Sequence, residues 1–172
     1  VPPANLTLDS SLEAGVLKAD AALQGPVERT ATAGLSVPMR FSVVPFAFDL
    51  PPSSPLHGNL QAEADLAKVM EFVPQEGQKL SGHFNTRLEI GGTVAEPLLS
   101  GEAVIEQGRY QNLQSGTVLD ALSTRVLAKG RRLDIESLKA TDGGKGSISA
   151  TGGIDLLPEK DFPFHLDLTL KD

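Results

Sequence analysis

The chain has 172 residues, 40% of them apolar, with a formal charge of −7 and no cysteine. This is the composition of a folded segment rather than a disordered tail. The acidic balance argues against a reader of phosphate backbones, and the lack of cysteine excludes disulfides, thiolate nucleophiles and cysteine-ligated zinc. No window approaches the ~18 consecutive apolar residues of a spanning helix, and Val1-Pro-Pro3 lacks the basic and apolar parts of a signal segment, so a soluble piece of a longer chain is expected.

Residues taken two at a time give a succession of strands, because alternate side chains on a strand share a face. Leu17, Ala19, Ala21 and Leu23 form the first such run; Leu35, Val37, Met39, Phe41 and Val43 form the second, with Ser36, Arg40 and Ser42 opposite. Pro38 inside that second run suggests an edge strand, and the parity slips across Pro45 before Phe46. One helix is expected: Asp65 caps it, Leu66, Val69, Met70 and Val73 make one apolar stripe, and Pro74 stops it. Such a short helix must dock on the sheet, as a lid over one end of the core.

Alternation then resumes with Leu80, Gly82, Phe84, Thr86, Leu88 and Ile90, against Ser81, His83, Asn85, Arg87 and Glu89. Leu99, Ala103 and Ile105 follow, then Leu122, Thr124, Val126 and Ala128, then Leu133 and Ile135, where a slip before Leu138 suggests a bulge. Gly146, Ile148, Ala150, Gly152, Ile154 and Leu156 make another run, and Phe164, Leu166, Leu168 and Leu170 the last. Turn residues separate these runs at Gln24-Gly-Pro26, Gly91-Gly92, Gln107-Gly108, Lys129-Gly130, Asp142-Gly-Gly144 and Leu157-Pro-Glu159. The fold class expected is all-β, a meander of about ten antiparallel strands with one wet face. A unit Leu-x-Gly entering a strand recurs at Leu56-His-Gly58, Leu80-Ser-Gly82 and Leu99-Ser-Gly101, as in a segment of an extended β array. Glycine on the apolar parity lets a sheet curl, or leaves room for something to lie against the backbone.

Patterns for chemistry are sparse. His57, His83 and His165 are dispersed, so no metal site is expected. Gly143-Gly-Lys-Gly-Ser147 lacks the Gly-Lys-Ser/Thr of a phosphate loop and precedes a strand, so it reads as a hairpin. No Gly-x-Ser-x-Gly elbow is present, and Glu89, Glu102, Glu106, Asp155 and Asp167 alternate outward. An enzyme is not expected, nor any cofactor. An outer-membrane barrel is disfavoured because Tyr110 is the only tyrosine and there is no tryptophan for aromatic girdles.

The order Leu80-Ser-Gly82, Gly91-Gly-Thr-Val-Ala-Glu-Pro97, Leu99-Ser-Gly101, Glu106-Gln-Gly-Arg-Tyr110, Asn112-Leu113, Leu138-x-Ala140, Asp142-Gly-Gly144 and Ile148-Ser-Ala-Thr-Gly152 resembles the C-terminal region of the TamB family, translocation and assembly module subunits within the AsmA-like group. The likeness covers residues 56–172 well and the first fifty-five more loosely. It implies a curved U-shaped antiparallel sheet, a β-taco, with an apolar concave face, and residues 1–172 as one segment of a longer periplasmic protein. It also implies an inner-membrane anchor, a TamA-like outer-membrane barrel as partner, and a part in assembling outer-membrane proteins or moving phospholipid outward. It carries over no catalytic residue.

The groove residues are instead taken from parity. They are Leu35, Val37, Met39, Phe41, Leu60, Phe84, Leu88, Ile90, Leu99, Ile105, Leu122, Val126, Leu133, Ile135, Ile148, Ile154, Phe164, Leu166 and Leu168. A long sheet with one apolar face and one short helix must bury that face against something, and phospholipid acyl chains would serve. The alternatives are a platform that offers a strand edge to unfolded outer-membrane protein clients by β-augmentation, a closed roll filled by its own side chains, and a passive adhesin-like segment.

Overall fold

A computed structural model describes residues 3–25, 30–72, 77–157 and 161–171. Ten strands form one antiparallel sheet: β1 (Asn5–Glu13), β2 (Val16–Gln24), β3 (Ala31–Pro38), β6 (His57–Asp65), β7 (Gln78–Gly92), β8 (Pro97–Asn112), β9 (Thr117–Gly130), β10 (Arg132–Thr141), β11 (Ser147–Asp155) and β12 (Phe164–Lys171). They lie side by side in chain order, so the sheet is a meander that ends at β1 and β12 without closing. Between β3 and β6 the chain makes a separate two-stranded ribbon, β4 (Arg40–Val43) with β5 (Phe46–Asp49).

The register explains the alternation. Residues directly opposite in an antiparallel pair share a face, and the chain of opposites runs Ala19, Leu35, Gly58, Ile90, Leu99 across five strands. A second row runs Ala103, Val126, Ile135, Gly152, Leu166. Every row of this parity through the ten-stranded sheet lacks a charged side chain, whereas the opposite parity carries the Asp, Glu, Lys and Arg residues of the strands. A slip of one residue in any pair would bring charges onto the apolar face, so the pattern itself fixes the register.

That face is the inside of the curve. Ala64, Ala128, Ala140 and Ala150 are each at most 5% exposed, although a methyl group is short and no second sheet covers them among the described residues. Their own neighbours cover them, which requires the sheet to fold toward this face. The bend stays open. The accessible surface is 11238 Å², against roughly 8,100 Å² for a compact monomer of this mass. Among the described residues no large side chain is completely buried.

Two local devices help the sheet bend. Gly82 and Gly101 sit at φ +129° and +128°, and a Cβ at Gly101 would run into the Arg87 carbonyl, while one at Gly82 would lie 2.7 Å from the Gly108 Cα. These glycines bring adjacent strands close and turn the backbone, rather than clearing space for a guest. The pairing of β10 with β11 shifts between Ile135 and Leu138, at the bulge read from the parity slip.

The structure corrects several sequence expectations. The run from Leu35 to Val43 is not one strand: β3 ends at Pro38, and Phe41 and Val43 belong to the β4–β5 ribbon. Alternation continues across the break because a ribbon has the same period of two. Pro38 does not mark an edge, since β3 lies between β2 and β6; its pairing with β6 has stopped at Ser36, so Pro38 has no ladder bond to lose on that side. Gln107-Gly108 is not a turn but a bulge inside β8, with Gln107 at φ 51°, and the chain reverses only after Asn112. The helix, α1 (Leu66–Met70), is capped as expected: the Asp65 side chain accepts from the Ala67 N–H at 2.9 Å. It packs on β7 and β6 with Leu66, Val69 and Met70 half-buried. Val1, Pro2, Pro26, Val73, Pro74, Pro158 and Glu159 lie outside the described residues.

Candidate functional site: an open apolar trough

The middle of the concave face is built from β6 to β10. Phe84 stands between Ala64 and Ile105, Leu88 between Leu60 and Gly101, and Ile90 between Gly58 and Leu99. Each of these three large side chains is only half-buried. Small residues make a floor from which larger ones rise, so the face is a trough rather than a filled core. Thr86 is the one polar side chain buried within it, and its hydroxyl donates to the Glu102 carbonyl at 3.0 Å. Among the described residues the face has no charged side chain and no buried polar atom without a partner, so it selects chiefly for apolar surface.

Seventeen of the nineteen residues expected to line a groove share this face. Leu35 and Val37 come from β3, Leu60 from β6, Phe84, Leu88 and Ile90 from β7, and Leu99 and Ile105 from β8. Leu122 and Val126 come from β9, Leu133 and Ile135 from β10, Ile148 and Ile154 from β11, and Phe164, Leu166 and Leu168 from β12. The structure places two elsewhere: Met39 at the junction after β3, and Phe41 on the ribbon outside the ten-stranded sheet. Sequence reasoning passed over Leu6, Leu8 and Leu12 of β1, which extend the face to the opposite edge. Their even spacing is the available signal, interrupted by Ser10.

The trough ends at both edges in uncovered strands. Every described residue of β1 and β12 is exposed, Phe164 to 76% and Leu168 to 53%. Apolar side chains and one row of backbone hydrogen-bonding groups are thus open together on each edge.

The convex face carries ion pairs, most of them between neighbouring strands. Arg125 on β9 meets Glu102 on β8 at 2.7 Å, and Arg132 on β10 meets Asp134 at 2.6 Å and Asp155 on β11 at 2.8 Å. These groups are partly exposed, so each pair contributes little alone. The Arg132 hydrogen bond, with the charges of Arg132 and Lys129, holds the Asp134 carboxyl below its ordinary 3.8. A carboxyl depressed in the folded state stabilises it fully above the unfolded value and loses that contribution as pH falls through the folded value. Asp134→Asn should therefore flatten the acid limb of the melting temperature below pH about 4 and change its slope little at neutral pH. Thermal scans of both chains across that range check this, and superimposable acid limbs would contradict it.

His57, His83 and His165 sit on the polar parity, exposed and on different strands. Among the described residues, no three His, Cys, Asp or Glu gather in a way that could hold a metal ion. Gly143-Gly-Lys-Gly-Ser147 is the β10–β11 turn, tied by the Asp142 carboxylate accepting from the Gly144 and Gly146 N–H groups at 2.7 and 3.0 Å. A recess of about 530 Å³ on the convex face is walled by Arg87, Glu89 and Glu102, but Glu102 is engaged by Arg125. No described helix is long and apolar enough to cross a membrane. No family model, curated protein or solved structure matches the chain. The trough is thus the feature with the clearest physical demand for a partner.

Proposed function

We propose that the protein is a non-enzymatic apolar conduit of the cell envelope, whose trough receives the acyl chains of phospholipid. The observation that carries this reading is the uncharged, half-covered face running through ten strands. An acyl chain laid along it would gain about 0.8 kcal/mol per methylene, on the order of 10 kcal/mol for a chain of ordinary length, without any headgroup contact. Headgroup tolerance is expected, because the strands of the face carry no charged side chain on it. The sequence resemblance supports a periplasmic site of action, with a TamA-like barrel as partner and the outer membrane as destination.

The test is mass spectrometry of organic extracts of the purified protein, with photo-crosslinkers placed at Phe84 and Ile90. Phospholipid in the extract and crosslinked to both positions is expected. Its absence from both sinks the reading.

A second reading, a platform for outer-membrane protein clients, is favoured by the two open edges, where an extended segment could add as a further strand. Adjacent residues point their N–H groups to opposite edges, so proline at Leu168 or at Thr169 removes a donor from the free edge of β12 in one of the two. Loss of client binding with lipid retained would select the platform.

A further inference from the structure

The β4–β5 ribbon is an apolar element that is exposed throughout. Every residue from Arg40 to Asp49 is exposed, with Val43 at 72%, Val44 at 88%, Phe46 at 75% and Phe48 at 69%. Pairing places Phe41 opposite Phe48 and Val43 opposite Phe46, so these four share one face, and the Phe41 and Phe46 rings meet edge to face at 5.6 Å. From Val43 to Phe48 the sequence Val-Val-Pro-Phe-Ala-Phe has no polar side chain; the charges, Arg40 and Asp49, face each other at the base.

The base is fixed. Met39 donates its N–H to the Gly15 carbonyl at 2.8 Å, and the returning chain is tied to the β7–β8 turn by Val94 N–H to the Ser54 carbonyl at 3.0 Å and Leu56 N–H to the Gly92 carbonyl at 3.0 Å. The ribbon is therefore presented at the end of the sheet that carries the Ala14-Gly15 and Gly92–Pro97 turns.

We infer that this ribbon inserts its tip into the interfacial layer of a lipid bilayer. Its apolar side chains expose on the order of 600 Å², the upper end of what a monomer normally leaves uncovered. A protein partner could pair with the free backbone edges of the ribbon, but the tip from Val43 to Phe48 has no polar side chain for the rim that such an interface carries. A fluid acyl layer accepts a convex finger without a matching pocket. Two four-residue strands reach about 13 Å, which seats the tip in the 5–10 Å interfacial layer and leaves Arg40 and Asp49 at headgroup level. With a net charge of −7 on the chain, attraction to anionic lipid contributes nothing, so the interaction should persist at high salt.

The chain has no tryptophan, so Phe46→Trp creates a single reporter at the tip. With phosphatidylcholine vesicles its emission should shift to the blue and be quenched by bromine on the acyl chains, while a Thr169→Trp reporter on the polar face of β12 should do neither. Phe46→Asp should weaken vesicle partition by about tenfold or more; a parent-like melting temperature would show that it is folded. Tip emission that ignores vesicles overturns the inference. So does a blue shift that grows with protein concentration without vesicles, which would assign the tip to a second copy of the chain. The inference is independent of the trough: a Leu88→Trp reporter follows trough occupancy separately, so failure of either reading leaves the other standing.

Discussion

Purified Leu88→Glu protein should carry bound lipid reduced by more than about tenfold, a loss of only 1.4 kcal/mol in affinity. Leu88 lies between Leu60 and Gly101 on a face with no charged residue in any of the ten strands, so the new carboxylate finds no counter-ion. Covering it with an acyl chain would cost several kcal/mol in lost hydration, while the empty trough leaves it in contact with water. The fold should survive for that reason. Leu88→Ala removes apolar contact without adding charge and should lower bound lipid far less. Glu89→Gln, one residue along and on the other face, should leave it unchanged. Quantitative mass spectrometry of extracts from the four proteins decides the matter. Parent-level lipid in Leu88→Glu, with loss in Glu89→Gln, would move the guest to the convex face.

Most of that face was legible as parity, because burial on one side of a strand leaves a period of two. Leu60, Leu88 and Ile90 could be assigned without knowing which strands were neighbours. What parity cannot convey is where a strand stops belonging to its sheet. Leu35, Val37, Met39, Phe41 and Val43 alternate without a break, yet the chain leaves the sheet after Pro38, and both halves obey the same rule. Nor does parity separate a turn from a bulge. Gln107-Gly108 has the residues of a reversal, but with Gly82 packed close to Gly108 across the pair, β8 absorbs one extra residue and continues. The edge strands carry no signal of their own. β1 and β12 have the same alternating leucines as inner strands, and only the topology shows that those of β1 and β12 lie at the open ends of the face.

The curvature that makes the face a trough should depend on Gly101 in a way the apolar residues do not. Its φ of +128° lies in a region that side-chain-bearing residues scarcely enter, and an added methyl would strike the Arg87 carbonyl on the adjoining strand. Because Gly101 is opposite both Leu88 and Ala128, the chain cannot yield there without moving two strand pairs. Gly101→Ala should destabilise the protein by about 3 kcal/mol, which for a chain of this size lowers the melting temperature by roughly 6–12 °C. Gly91 offers the internal comparison. It stands in the same sheet, but a Cβ there meets nothing within 4 Å and its φ is not in the left-handed region. Gly91→Ala should therefore fall within about 0.5 kcal/mol of the parent, or stabilise slightly by restricting the unfolded chain. Urea unfolding followed by far-ultraviolet circular dichroism measures both. If the two substitutions cost the same, the bend at Gly101 is not what holds β7, β8 and β9 in their curved arrangement, and the shape of the trough must come from the side chains alone.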